Sequence, residues 1–378
     1  MFKLNGTLFE NLSTDTNKLK PDVLHILRTV TNRNRQHTWK YFNSRAAVMT
    51  TVGGFPSGLS FHSGVLLQDG RVFLVPYDQN TARIYDPVTN TVTITAAVFP
   101  GPNSSSFHSA VLLKDGRVFC IPTNITSATI YDPKTDTATT VTGFPSGSFT
   151  FIGGVLLPDG RVFLVPTGVT SAHIYDPVSN TVTTVPGFPG GNGLIGGVLM
   201  ADGRVFCVPA QSTTARIYDP VTNTVTTPSP TFPGGTAPAF NGGVLLPDGR
   251  VFCVPRSSTD AYIYNPVNDT VTTVGGFPGN SAYFGGVLLP DGRVFCVPQV
   301  ATSIRIYDPI SNTVNTPPIT FSSSPGYAGG VLMPDGRVFC VPYVNQTSAL
   351  IISGPFSSYV NPHQFPMQLS VSGFLNKY

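Results

Sequence analysis

The sequence predicts an all-β protein, a seven-bladed β-propeller of four-stranded blades, and three observations carry that prediction. The pentapeptide Asp-Gly-Arg-Val-Phe occurs seven times, with its Asp at 69, 115, 159, 202, 248, 291 and 335, giving a repeat of 43–46 residues. A period of that length marks solenoids, propellers and arrays. Each repeat holds four short apolar or β-branched runs punctuated by Gly, Pro, Asn and Asp, the pattern of strands joined by tight turns. The composition also opposes helix: the 378 residues include 38 Gly and 35 Pro but a single glutamate, Glu10, a helix former that strands use sparingly.

Residues 1–45 read as an N-terminal arm. Its first 40 residues hold seven Lys/Arg against three acids, whereas the rest of the chain is close to neutral. Within it "KPDVLHILRTV" (20–30) places Pro21 and Asp22 before Val23, Leu24, Ile26, Leu27 and Val30, which predicts one short amphipathic helix. The segment "VMTTVGGFP" (48–56) matches "VTTVGGFP" (271–278), a fourth strand with no blade before it, while the seventh repeat runs through Ala349-Leu350-Ile351-Ile352 and then loses the pattern. The N-terminal strand is therefore expected to complete the last blade and close the ring, which removes the open seam that exposes strand edges. The propeller spans 46–353, and a C-terminal tail, 354–378, keeps Phe356, Tyr359, Phe365, Phe374 and Tyr378.

Inside a repeat, Gly-Val-Leu-Leu turns through Asp-Gly into Arg-Val-Phe-Cys-Val-Pro, a strong hairpin signal. Both runs are continuously apolar, as strands buried on two faces are. A third strand ends in Ile-Tyr-Asp-Pro and turns into a Thr-rich fourth. Pairing the second and third strands sets Arg71 opposite Asp86 and predicts a repeated cross-strand ion pair, weakened at Arg250 because Asn265 replaces the Asp. Cys120, Cys207, Cys253, Cys296 and Cys340 share one repeat position with Leu74 and Leu164. That interchange describes a small buried hydrophobe, not a disulfide or zinc ligand, and fits a reducing, intracellular setting.

The hairpin resembles the kelch repeat, in the form found in galactose-oxidase-like propellers. The matching residues are "FHSGVLLQDGRVF" (61–73), "FHSAVLLKDGRVF" (107–119) and "IYDPVTNTV" (84–92). Val-Pro or Ile-Pro stands where that family has Gly-Gly, and Val or Ala where it has the blade Trp; the one Trp, Trp39, lies outside the repeats. The resemblance implies an architecture. The copper-radical chemistry of some relatives would need His and Tyr ligands and a Tyr–Cys link, and here three of the six histidines (His25, His37, His363) lie in the arms.

Near-identical repeats make their differences informative. At the position two residues before the first strand the residues are His62, His108, Ile152, Ile195, Asn241, Phe284 and Ala328. The loops leaving the second strands and those entering the first share one rim, which this reading assigns to partner binding through Tyr77, His62, His108, Asn241, Arg256, Tyr283, Tyr327 and Tyr343, with Asp78, Asp260 and Gln299 nearby. The face of Asp-Gly and Asp-Pro turns reads as structural.

The propeller carries no basic stripe for nucleic acid and the chain no run long enough to span a membrane. A glycosidase needs paired carboxylates about 5–9.5 Å apart, and the acids outside the repeated turns are widely separated. The sequence reading therefore assigns no catalytic residue, metal or cofactor and expects no enzyme. It expects a structural or protein–protein interaction propeller in a larger assembly, such as a virion, tethered through its arms. The setting is intracellular or virion-associated, not secreted; a small-molecule ligand is not expected. A lectin-like, carbohydrate-binding propeller using the rim tyrosines is the alternative.

Overall fold

The computed structural model describes residues 48–100 and 105–354 in full, together with the backbone of Phe2–Leu4 and Thr7–Phe9. The chain divides into two units, Met1–Ala46 and Ala47–Tyr378. In the first, Phe2–Leu4 and Thr7–Phe9 pair as an antiparallel hairpin. The helix expected over 20–30 and the tail aromatics lie outside the described residues.

The second unit contains seven four-stranded antiparallel sheets. Blade 1 comprises Phe61–Leu66, Val72–Pro76, Thr81–Asp86 and Thr91–Val98, and blades 2–6 repeat it with first strands starting at Phe107, Phe151, Leu194, Phe240 and Tyr283. Blade 7 takes Tyr327–Leu332, Val338–Pro342 and Ser348–Ser353 from the end of the ring, and its fourth strand is Val48–Gly53, in register from Val48↔Ser353 to Gly53↔Ser348. First strands neighbour one another around the axis, and Tyr327–Leu332 lies beside Phe61–Leu66, so the ring is closed. No helix occurs among the described residues.

The apolar core lies between blades, as the two-sided burial of the inner strands requires. At the closing interface Val331, Met333, Phe339, Val341 and Ile351 of blade 7 pack with Phe61, Val72, Leu74 and Tyr85 of blade 1, and the closing strand adds Val52. Stacked rings recur at these interfaces: Tyr131 on Phe73, Tyr175 on Phe119, Tyr218 on Phe163, Tyr264 on Phe206, Tyr307 on Phe252 and Tyr85 on Phe339, with centroids 4.6–4.9 Å apart. Ile352 takes this tyrosine's place in blade 7. All five cysteines are buried in the same packing, and burial pushes their thiols far above the usual range.

The turns explain the repeated motifs and correct one expectation. Leu67 N donates to the Arg71 carbonyl at 2.8 Å, and Gly70 adopts φ +89°, which glycine tolerates best. Arg71 does not reach across to Asp86. Its Nε and Nη2 both grip Asp69 Oδ2, at 2.9 and 2.7 Å, and Asp69 Oδ1 accepts its backbone N–H. Asp86 is occupied elsewhere, accepting the N–H groups of Val88 and Thr89 at 2.8 and 3.3 Å in the second turn. Arg250 accordingly keeps its partner, Asp248, at 2.7 Å, while Asn265 accepts Val267 N–H at 3.0 Å as the aspartates do. The tyrosine hydroxyl locks the same turn: Tyr85 donates to Oδ1 of Asn90, which sits at φ +57°.

Candidate functional site

The first strand of every blade is irregular at its start. Its register against the second strand shifts immediately after the first residue, between Phe61 and Ser63 in blade 1 and between Phe151 and Gly154 in blade 3. The same shift occurs in the other five blades. A bulge re-aims the side chain it contains, here the second residue of the strand. That position is the divergent column His62, His108, Ile152, Ile195, Asn241, Phe284 and Ala328. The histidines thus lie inside the first strands and are buried.

A second divergent column stands beside it. The residue after the proline that ends each second strand is Tyr77, Thr123, Thr167, Ala210, Arg256, Gln299 or Tyr343. Six residues of the first column and five of the second line one cavity of about 250 Å³ on the rim where first strands begin. Loop residues Phe149, Asn192, Gln211 and Pro238 complete it, and it reaches solvent past the exposed Phe149 and Asn192. One residue further along the first strands, glycines bring neighbouring blades into backbone contact. A Cβ on Gly153 would stand 2.6 Å from Gly196 Cα, and one on Gly196 would stand 3.0 Å from Gly242 Cα. This collar narrows the axis next to the pocket.

The cavity wall is uneven. Ile152 and Ile195 make one side apolar. On the other, His62 is surrounded by rings, with His108, Phe284, Tyr343 and Tyr77 at centroid distances of 3.2, 4.7, 4.8 and 5.3 Å. The Arg256 guanidinium stands 4.8 Å over the Phe284 ring, a cation–π geometry. Burial, then the neighbouring His108 and Arg256, hold the His62 imidazole well below its usual range. Burial and Arg256 bring His108 down to about 3. Burial likewise pushes the Tyr343 hydroxyl up to about 12. Both imidazoles are therefore neutral at pH 7, and Arg256 is the one cationic side chain among the lining residues, with no carboxylate beside it.

Six of the eight residues assigned to the rim meet at this cavity: Tyr77, His62, His108, Asn241, Arg256 and Tyr343. Tyr283 and Tyr327 do not. They occupy the column of Phe61 and Phe107, the first residue of the strand, which points between blades. Tyr283 is wholly buried, with its hydroxyl donating to the Ser303 carbonyl at 3.1 Å, and Tyr327 packs in the core between blades 6 and 7. The lectin-like alternative thereby loses two of its four tyrosines. Asp78 is spent on Ser105, whose N–H and hydroxyl it accepts at 2.8 and 3.1 Å. Thr167, Phe149, Asn192, Gln211 and Pro238 escaped the sequence reading. The column after the proline, compared across repeats as the first was, would have shown Thr167. No group of three or more His, Cys, Asp or Glu side chains that could hold a metal ion occurs among the described residues.

The neutral histidines make a pH prediction. Their folded pKa values lie below the unfolded value near 6.5, so the unfolded chain binds more protons between the two. Their contribution is complete above about pH 6.5 and is lost as pH falls, by up to about 1.4 kcal/mol per unit for each imidazole. The paired aspartates, such as Asp69 and Asp115, have lowered values and act below about pH 4. Denaturant unfolding between pH 7.5 and 4.5 should show the wild type losing stability more steeply than a His62→Gln/His108→Gln variant. His173, between blades, is also lowered and remains in both proteins.

No protein-family model matches the chain, and no curated protein matches its sequence. Its fold does match solved structures. Streptogramin B lyase is similar with a TM-score of 0.68 at 12% identity, over 82% of this chain and 98% of that one. A catalytically inactive virginiamycin B lyase from Staphylococcus aureus with Quinupristin gives 0.68 and 12%, over 81% and 99%. The extracellular domain of a proposed hybrid two component system from B. thetaiotaomicron gives 0.62 and 12%, over 82% of this chain and 43% of that one. At such identity the likeness is one of fold. It corrects the expectation that the chain is no enzyme: that expectation took the propeller for a scaffold, and propellers of this build include lyases. Similarity of fold extends to these proteins, and membership of a named family is not shown by it.

Proposed function

We propose that the protein binds a small organic molecule in the axial pocket of its propeller. One observation carries this reading. In a ring of near-copies, two columns whose chemistry changes from blade to blade converge on a single cavity, while the Asp-Gly-Arg-Val-Phe hairpin is constant; a third divergent column, Arg83, Thr129, His173, Arg216, Tyr262, Arg305 and Leu350, lies in the third strands outside the cavity. An asymmetric ligand requires different residues from different blades, and these two columns supply them at one place. Concave sites with an apolar wall and a few convergent polar groups are the usual form of small-molecule sites. Arg256 and the neutral imidazoles are the groups able to hold charge or hydrogen-bond a ligand there. The kelch-like hairpin supports the architecture and no particular activity.

The test is capture from a native small-molecule extract, read by mass spectrometry, comparing the full chain with Ile195→Trp, which fills the apolar wall. A compound retained by the wild type and lost by the variant is the expected result. Equal retention by both would refute the pocket as the site.

A second reading, an interaction propeller within an assembly, is favoured by a different feature. Val88, Val178, Val221, Val267 and Ile310 recur at one position of the Asp-Pro turns and are 73–94% exposed. Such a set of apolar tips on five of the seven blades, with Lys134 at the same position in blade 2, suits a protein partner on the face opposite the pocket. Binding of that kind would be lost in Val178→Lys/Val221→Lys and kept in Ile195→Trp.

A further inference from the structure

Six buried side-chain polar atoms lack a hydrogen-bond partner among the described residues, and four of them belong to residues lining the axial pocket: Thr167 Oγ1, Asn241 Nδ2, Arg256 Nε and Gln299 Oε1. Buried polar atoms are nearly always satisfied, and each one left open costs free energy. Four gathered on one cavity therefore mark the places where a ligand's atoms belong. Thr167 and Asn241 are more than nine-tenths buried, so their own side chains have little access to bulk water.

The chemistry of the four groups is not symmetric. The amides of Asn241 and Gln299 can turn to present either oxygen or nitrogen, and the Thr167 hydroxyl donates or accepts. Arg256 has no such freedom: a guanidinium only donates and stays protonated. Its described environment supplies the face of Phe284, the hydroxyl of Tyr343 and two neutral imidazoles, and no carboxylate lines the cavity. Elsewhere in the ring, the seven arginines of the Asp-Gly turns each have their own aspartate at 2.6–2.7 Å, and Arg83, Arg216 and Arg305, which lack a carboxylate among the described residues, donate instead to hydroxyl and carbonyl oxygens. Arg256 is half-buried with its Nε out of reach of solvent; a partly desolvated cation without a counter-charge is costly, and an acceptor carrying negative charge completes it.

Resting on the ligand-pocket reading above, we infer that the ligand is an organic anion. Its carboxylate, phosphate or sulfate head lies against Arg256, within reach of the open groups of Asn241 and Gln299, and its apolar body lies against Ile152 and Ile195. The cavity, about 250 Å³, equals roughly eight water molecules' share of liquid volume at ~30 Å³ each, the size of a one-ring acid. A free acid and the C-terminal carboxylate of a peptide share this head-group chemistry. The small volume and the close glycine contacts beside the pocket favour the free acid, and peptide binding is an outcome the test separates.

The experiment titrates the full chain with benzoate, phenyl phosphate and phenyl sulfate, their neutral counterparts benzamide and benzyl alcohol, and a short peptide ending in a free or amidated carboxyl group. Binding is read from the thermal midpoint against a sodium chloride control and from the ring resonances of His62 and His108. The expected result is that at least one aromatic anion raises the midpoint and shifts both imidazoles to higher pKa, since a nearby negative charge favours their protonated form. Neutral counterparts should bind at least tenfold more weakly. Arg256→Gln should remove that preference, yet leave the ligand-free midpoint unchanged or higher, because it deletes an uncompensated charge. Arg256→Lys, which keeps the charge but not the planar fork, should retain part of it. If neutral compounds bind as well as anions, in wild type and Arg256→Gln alike, the anion inference is overturned while the pocket reading stands. If Ile195→Trp leaves all binding unchanged, the pocket reading itself fails. Preference for the free-carboxyl peptide over the aromatic acids overturns the free acid as ligand. A wild type whose midpoint and imidazoles respond to no anion overturns the inference outright.

Discussion

Gly153→Ala is expected to destabilise the protein by about 3 kcal/mol or more, a large value for the addition of one methyl group. Gly153 adopts φ +97°, where a side chain is strained, and its Cβ would stand 2.6 Å from Gly196 Cα and 3.1 Å from Gly196 N. Both obstacles are backbone atoms of the neighbouring blade. A side chain could rotate away, but these could move only if two blades parted, and a closed ring spreads that displacement to every interface. Gly191→Ala is the control: φ is +59° with nothing within 4 Å of a new Cβ, so it should cost only the left-handed strain, about 1–2 kcal/mol. Blades 1 and 2 carry Ser63 and Ser109 at the Gly153 position without contradiction. Neither serine has positive φ, and Ser109 Oγ accepts the N–H of Gly153 at 3.1 Å. Denaturant unfolding of the two alanine variants checks the comparison.

Val52→Asp tests ring closure, with an expected loss of about 3–5 kcal/mol from an unpaired carboxylate buried at the interface between blades 7 and 1. Val52 is the buried residue of the closing strand, 8% exposed, opposite Ala349 and packed with the blade 7 and blade 1 cores. The chain joins these partners across some three hundred residues, so the strand gains nothing from local sequence and depends on this burial. Thr50→Asp, at an exposed position of the same strand, should change stability by less than about 0.5 kcal/mol. Similar losses for both substitutions would mean that the closing strand is held by its backbone ladder alone.

The propeller was legible because its physics is written seven times. Asp-Gly, Tyr-Asp-Pro and the Cys/Leu column each have one structural use, and repetition separates that use from accident. The missing fourth strand of blade 7 was legible for the same reason, since "VMTTVGGFP" has a counterpart inside the ring. The Arg71–Asp86 pair was misread because register alone set the two opposite. Asp69 lies two residues from Arg71, and Asp86 was already held by its own turn; competition between nearby hydrogen bonds is not visible in a strand alignment. Tyr283 and Tyr327 were misplaced by a single residue. The bulge after the first position of each first strand sends residue one into the core and residue two toward the axis, and a one-residue shift in a strand exchanges its faces. His62, His108 and Asn241 fell on the axial side of that divide. The cavity itself required three dimensions, because its residues come from separate blades and only the ring brings them together.

The columns of His62 and Tyr77 are proposed to form one ligand site at the axis. Crystals of the full chain soaked with 4-bromobenzoate and, separately, 4-bromobenzamide test it most directly, because bromine can be located by anomalous scattering. A bromine peak is expected in the axial pocket beside Ile152 and Ile195 for the benzoate, with its carboxylate toward Arg256, and a weaker peak or none for the amide. Bromine found only on the face carrying Val178 and Val221, or an axial pocket empty with both compounds, would contradict it.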